Sequence, residues 1–440
     1  MIKKLVIVFI TLFAIQIKAQ EGTASPYSFY GIGSLKFKGT VENRSMGGLS
    51  IYTDSIHVNL RNPAAYAGNN IKLFNEESRP VKFTVAGSHN ILKLKANSGS
   101  EKANTTTFDY LALSVPMGKF GFGFGLMPYT SVGYKLESVE NNTLKDRYRG
   151  EGGMNKAFVG LGYQITKNLS VGIDASYNFG NIKNSSVAFV YDNDGNLVQY
   201  QTRENNRSDL SGLNFNLGLS YKTMLNDKLQ LTTGLTYSPK SEITSNNERT
   251  FSTITINTIT GQEFAYNTID ADLESQNLKK TDLTLPSRFS FGAGVGEPLK
   301  WFLGAEYTTQ NTSKFSNPIF SIDNANFVNA SNFSFGGFFI PDYNSFSSYW
   351  KRVVYRGGLH FENTGLEINN QTIKEFGISF GVGLPVSSTS SVIGLFSNAN
   401  IGFEFGKRGT TNANLIQENF MNFQISLSLN DRWFQKRKYD

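Results

Sequence analysis

His57, His89 and His360 are the only imidazoles in the 440 residues, and there is no cysteine. Nucleophilic catalysis with a histidine base needs a hydroxyl or thiol held beside the ring, and a histidine metal site needs clustered ligands. The three histidines are far apart in sequence, and no Gly-x-Ser-x-Gly elbow stands at a strand-to-helix turn. Without cysteine there are no disulfides and no thiolate metal sites. The sequence therefore calls for no enzyme, no cofactor and no metal. The glycine runs GFGFG and GAGVG lie inside alternating segments, where glycine makes room for a neighbour more often than it cradles phosphate.

Two other groups of residues carry chemical potential. Asp174, Arg288, Glu306, Arg356 and Glu404 are charges set into otherwise apolar alternation. Such charges read either as a lining that guides a polar head group or as a salt-bridge network that fills an interior. Residues 314–346 are crowded with aromatics, including Phe333, Phe335, Phe338 and Phe339. A cluster of this size reads as a binding surface for a greasy ligand or a protein, or as residues that face lipid. These four phenylalanines are the candidate ligand-binding residues.

The elements that position these groups follow from a period of two. In LSVGIDASYNF, the residues Leu169, Val171, Ile173, Ala175, Tyr177 and Phe179 share one face, and Asp174 lies on the other. VGLGYQI, GLNFNLGLSY, WFLGAEY, IGLFSNANIGFEF and FQISLSL repeat the pattern, which is that of half-buried strands. Short polar breaks at 117–119, 166–168, 225–227, 296–298 and 385–387 alternate with long polar stretches. Short turns at one end and long loops at the other describe a membrane barrel. Many segments run to ten residues or more, near the ~9–11 that a tilted spanning strand needs. A soluble sandwich averages about 5–6 per strand.

The fold class expected is all-β: a transmembrane antiparallel barrel of about fourteen strands. Approximate spans are 81–95, 106–116, 120–137, 150–165, 169–190, 207–224, 228–245, 281–296, 299–313, 331–340, 350–361, 373–384, 391–406 and 419–430. The apolar faces meet lipid, because the reverse would place Asp174, Glu306 and Glu404 in hydrocarbon. A charge at the bilayer midplane costs about 2–4 kcal/mol for a base and less for an acid.

Lys3 and Lys4, the run LVIVFITLFAIQI and Lys18-Ala19-Gln20 have the form of a secretory signal peptide over residues 1–20. The net charge of +7 is scattered, with no dense basic stripe, so no nucleic-acid partner is expected. The barrel is assigned to 81–434, with Trp433 and Phe434 closing the last strand, and a basic tail over 435–440. The location implied is the cell outer membrane, with outer-membrane lipid as the surrounding partner.

Residues 21–80 do not alternate. Glycines, small residues and an Asn-Pro step suggest a compact plug. Asn62 is pushed off helical geometry by Pro63, which suits the first turn of a helix from Ala64. The order Arg44, Gly47-Gly48, Asp54, Asn59, Arg61-Asn62-Pro63-Ala64 resembles the N-terminal hatch of FadL-type outer-membrane transporters. That resemblance implies a fourteen-stranded barrel whose lumen is closed by a hatch including Arg61, Asn62, Pro63 and Ala64. It implies hatch-gated, passive uptake of a hydrophobic small molecule such as a long-chain fatty acid. No single position matches a basic carboxylate-binding residue of that family. The alternative is an accessory barrel subunit of a multi-protein outer-membrane machine, for protein secretion or barrel assembly. Its partners would be other outer-membrane proteins.

Overall fold

The computed structural model describes residues 22–37, 39–67, 80–140, 143–257, 259–315, 317, 324–386 and 397–431. The signal segment, Trp433, Phe434 and the basic tail lie outside the described residues.

Fourteen antiparallel strands close a barrel. In chain order they are β1 (Val81–Ala96), β2 (Gly99–Met117), β3 (Phe120–Pro128 and Thr130–Glu140), β4 (Thr143–Gln164) and β5 (Leu169–Ala188). Then come β6 (Gln201–Met224), β7 (Gln230–Ser238 and Ser241–Ile256), β8 (Lys280–Leu285 and Arg288–Glu297), β9 (Trp301–Gln310) and β10 (Ala330–Phe339). The last four are β11 (Val354–Ile368), β12 (Gln371–Val386), β13 (Ser397–Arg408) and β14 (Gln417–Asp431). Pairing of β1 with β14, from Val81↔Asp431 to Lys95↔Gln417, closes the cylinder. Tight turns at 117–120 and 164–169 lie at the same end as Val81 and Asp431, which is therefore the periplasmic end.

Alternation puts the two faces where the sequence expects them. Ile173, Phe215, Leu217, Phe291, Leu303, Phe380 and Phe405 are exposed on the outside. Asp174, Asn216, Ser290, Glu306, Ser379 and Glu404 are buried on the inside. Their burial is supplied by the N-terminal segment, which fills the lumen.

The barrel is taller on one side. β6 has 24 residues, about 13 more than a spanning strand requires. β4 to β8 continue as an extracellular sheet, and a further strand, Glu263–Asp270, pairs with the upper part of β7. Val187, Phe189 and Ile254 form a small core of its own up there.

One seam interrupts the wall. β2 pairs with β3 only from Leu111↔Leu126 to Met117↔Phe120. After the break at Tyr129 the upper part of β3 follows β4, so the upper half of β2 has no partner on that side among the described residues. A two-residue strand of the N-terminal segment, Ser34–Leu35, pairs with Thr130 and Ser131 just above the break.

Candidate functional site

The site is the contact between the N-terminal hatch and the inner wall. The hatch begins with a short helix, α1 (Val41–Arg44). Thr40 caps it, with Asn43 answering in a reciprocal capping box. Gly47 and Gly48 then take φ of 70° and 93°, which turns the chain sharply back toward the wall. Further on, Asn62 Oδ1 accepts from Ala64 N at 3.0 Å and starts the turn Pro63–Tyr66. The turn is a 3-10 helix, slightly tighter than the α-helical start that Pro63 suggested.

Glycines in the wall make these approaches possible. A Cβ on Gly172 would sit 2.3 Å from Pro63 C, and one on Gly121 would overlap Tyr66 O. Gly123, Gly160 and Gly162 are likewise filled by Tyr66 and Ala67. The glycine runs of β3 and β4 are thus a groove for residues 63–67. On the opposite wall, Gly336 and Gly358 receive the backbone of Met46 and Gly47.

Charge locks the two together. Arg44 Nε donates to Glu404 Oε2 at 2.7 Å. Arg61 Nη2 donates to Glu306 Oε1 at 2.7 Å, and the other Glu306 oxygen accepts from Ser50 N (2.8 Å) and Ser50 Oγ (2.9 Å). Glu42 of α1 accepts from Asn400 and from Ser426 Oγ at 3.0 Å. Asn62 Nδ2 donates to Leu219 O at 2.9 Å, and Asn216 Nδ2 to Arg61 O at 3.1 Å. Lys82 Nζ donates to the carbonyls of Asp54 and His57, both at 2.8 Å. Within the hatch, His57 Nδ1 lies 2.7 Å from Asp54 Oδ2. Burial alone would raise the Asp54 carboxyl, but the His57 ring, its hydrogen bonds and Lys82 hold it well below the usual carboxylate range. Burial pushes the Lys36 ammonium down to about 8.

The five charges picked from sequence all face inward, and the structure assigns most of them to this network. Asp174 accepts from Asn216 Nδ2 (3.0 Å) and Ser176 Oγ (3.2 Å), with Lys156 Nζ at 3.7 Å. Glu306 and Glu404 hold the hatch arginines, and Arg356 Nη1 donates to Asn400 Oδ1 at 3.0 Å. Arg288 lines a cavity of about 170 Å³ with Arg61, Gln310, Asn332 and Glu362. Sequence reasoning did not select Glu375, Arg408 and Glu418, the neighbouring chain that starts at His360. There His360 Nε2 is 3.2 Å from Glu375 Oε1, Arg408 also pairs with Glu375, and Ser25 reaches Glu418. Those residues alternate inward along β11 to β14, which was the available signal.

The four phenylalanines are not brought together. They belong to spanning strand β10, as the expected strand 331–340 has it. Phe333, Phe335 and Phe339 point outward, whereas Phe338 is buried inside against Tyr52 and Phe302. Two adjacent phenylalanines must take opposite faces of a strand, so they cannot form one groove.

Two more cavities adjoin the hatch. One, about 110 Å³, lies at the wall seam and is polar, lined by Lys36, Arg44, Ser88, Thr107, Asp109 and Pro128. The other, about 130 Å³, is mainly apolar, lined by Tyr27, Ile32, Tyr129, Leu285, Phe315 and Phe327. Each is smaller than the ~300 Å³ at which ligand pockets begin.

These features define an outer-membrane-type barrel with an N-terminal plug. Solved structures share the fold. A Pseudomonas aeruginosa FadL homologue matches with a TM-score of 0.58 at 12% identity, over 91% of this chain and 100% of that one. The Pseudomonas putida toluene transporter TodX matches with a TM-score of 0.58 at 16% identity, over 92% and 100%. The CymD monoaromatic hydrocarbon channel matches with 0.52 at 13%, over 92% and 100%. No curated protein matches the chain in sequence. The family model BamG matches residues 1–440, and the chain belongs to the BamG family.

Proposed function

We propose that the protein is a structural barrel subunit of a multi-protein outer-membrane machine for protein secretion or barrel assembly. The observation that carries this reading is the locked hatch. It is tied to two separate strands of the wall, β13 through Arg44–Glu404 and β9 through Arg61–Glu306, with Glu42 bonded to β13 and β14. Opening a path through the lumen would strand several buried charges at once. Breaking one such pair by removing a partner costs about 3–5 kcal/mol.

The extracellular sheet supports the same reading. Its strand Glu263–Asp270 pairs only with β7 among the described residues and leaves its other edge open. Phe264, Tyr266 and Ile269 are exposed there, well above the lipid band. An open edge with apolar side chains is a template for adding a partner strand.

A second reading is hatch-gated uptake of a hydrophobic small molecule, and the wall seam and the apolar cavity beside Phe315 and Phe327 favour it. Against it, the seam leads to Lys36, Arg44 and Asp109, a polar lining for an oily cargo. Purification from native membranes in mild detergent separates the two. A stoichiometric membrane-protein partner supports the subunit; a lone barrel carrying a bound fatty acid or aromatic hydrocarbon supports uptake and sinks the first reading.

A further inference from the structure

The outer surface carries a row of lysines that the hatch and its lock do not use. Register places Lys407 of β13 beside Asn419 of β14, Asn419 beside Lys93 of β1, and Lys93 beside Lys102 of β2. Lys95 lies one outward position above Lys93. All four lysines are exposed and share the outward phase of Ile91, Phe108, Phe405 and Met421. Like charges directly opposite one another, as at Lys93↔Lys102, cost stability in a sheet. Among the described residues no carboxylate pairs with these lysines to offset that cost. The outward positions of β13, β14, β1 and β2 at and above this level carry no carboxylate, because Glu101 and Glu418 alternate to the other face. Among the described residues, the lysine ion pairs at Lys156, Lys183, Lys240 and Lys300 all lie outside this row.

The height of the row decides what the counter-charge is. Lys93 stands ten residues above Phe83, the lowest outward phenylalanine of β1. Ten residues at ~3.3 Å, tilted by about 40°, rise about 25 Å, the height of a barrel's apolar band. The row therefore lies at the head groups of the outer leaflet. Strands are spaced ~4.8 Å apart, so the row from Lys407 to Lys102 spans about 14 Å. That is wide enough to hold two phosphate groups of one lipid.

We propose that Lys93, Lys95, Lys102 and Lys407 form a binding site for the phosphorylated head group of an outer-leaflet glycolipid. The site fixes the β13–β2 face of the barrel in that leaflet and is independent of the function of the hatch.

The test uses the full-length protein in detergent, titrated with bisphosphorylated lipid A and read by native mass spectrometry. Phosphatidylglycerol and inorganic phosphate serve as separate probes. K93Q/K102Q/K407Q is compared with K119Q/K167Q/K228Q, which removes three exposed lysines from periplasmic turns. Heat-modifiable gel mobility confirms that each variant is a folded barrel. The expected result is a lipid A adduct on the wild type and the turn variant, weakened about tenfold or more in the row variant. Weaker adducts with phosphatidylglycerol and none with phosphate are also expected. Equal adducts on both variants, equal losses on both, or phosphatidylglycerol binding as tightly as lipid A would overturn the assignment.

Discussion

Glu306→Ala is the sharpest perturbation of the lock. The Glu306 carboxylate takes three donors from the hatch: Arg61 Nη2, Ser50 N and Ser50 Oγ. The side chains of Arg61 and Glu306 are only 10% and 2% exposed. Truncation leaves a buried guanidinium with just the Gly48 carbonyl, and a buried backbone N–H with no acceptor. Losing one partner of a buried pair costs about 3–5 kcal/mol. At about 1.4 kcal/mol per tenfold, hatch opening should rise roughly 100- to 4,000-fold. Hydrogen exchange reads this locally. Amides of residues 44–49, bonded within the hatch, should lose two to three decades of protection, while strands β4 to β6 keep theirs. Arg61→Ala should cost less, because Glu306 retains both Ser50 bonds. The double variant should fall short of the sum of the two. If Glu306→Ala leaves hatch exchange within threefold of wild type, the ion pair does not hold the hatch and the reasoning fails.

Gly172→Val places a side chain where Pro63 and Ala64 now lie. Residues 59–67 should become protease-sensitive in the intact barrel, with about 1–3 kcal/mol lost by the docked hatch. Asp54 has a folded pKa below its unfolded value, so its stabilisation is complete above about pH 4 and drains away as pH falls further. Asp54→Asn should remove that acid limb from hatch-exchange profiles. Lys36 has a dependence of the same sign in an alkaline window. Its folded pKa of about 8 lies below the 10.5 of a free lysine, so the hatch gains stability as pH rises from 8 toward 10.5. Lys36→Met should flatten that limb. Ile269→Lys, on the open extracellular edge, should abolish recovery of a membrane-protein partner and leave gel mobility unchanged.

Much of the barrel was legible because lipid on one side and a polar interior on the other impose strict alternation. The segment expected over 331–340 is a strand, Ala330–Phe339. Alternation could not show how far strands run beyond the membrane: β6 begins at Gln201 and not near 207, and β7 reaches Ile256. No lipid bounds the outer face at that height and the buried face mixes polar residues such as Asn247 and Ser252 with Ile254, so the pattern there loses its contrast. The plug was legible from Asn62-Pro63 and the glycine pair, since backbone constraints are local. Its partners were not, because Arg44–Glu404 spans 360 positions. Phe338 was misplaced for the same reason: an inward phenylalanine is stable only because Tyr52 of the hatch covers it. The inward glycines of β3 and β4 were a readable sign that something presses against the wall there.

Single-channel conductance in planar bilayers tests the plugged barrel most directly. The wild-type protein should pass no steady ion current, and deletion of residues 22–67 should open a stable pore. A steady current through the wild type, or no pore after the deletion, would contradict a lumen that the hatch alone keeps shut.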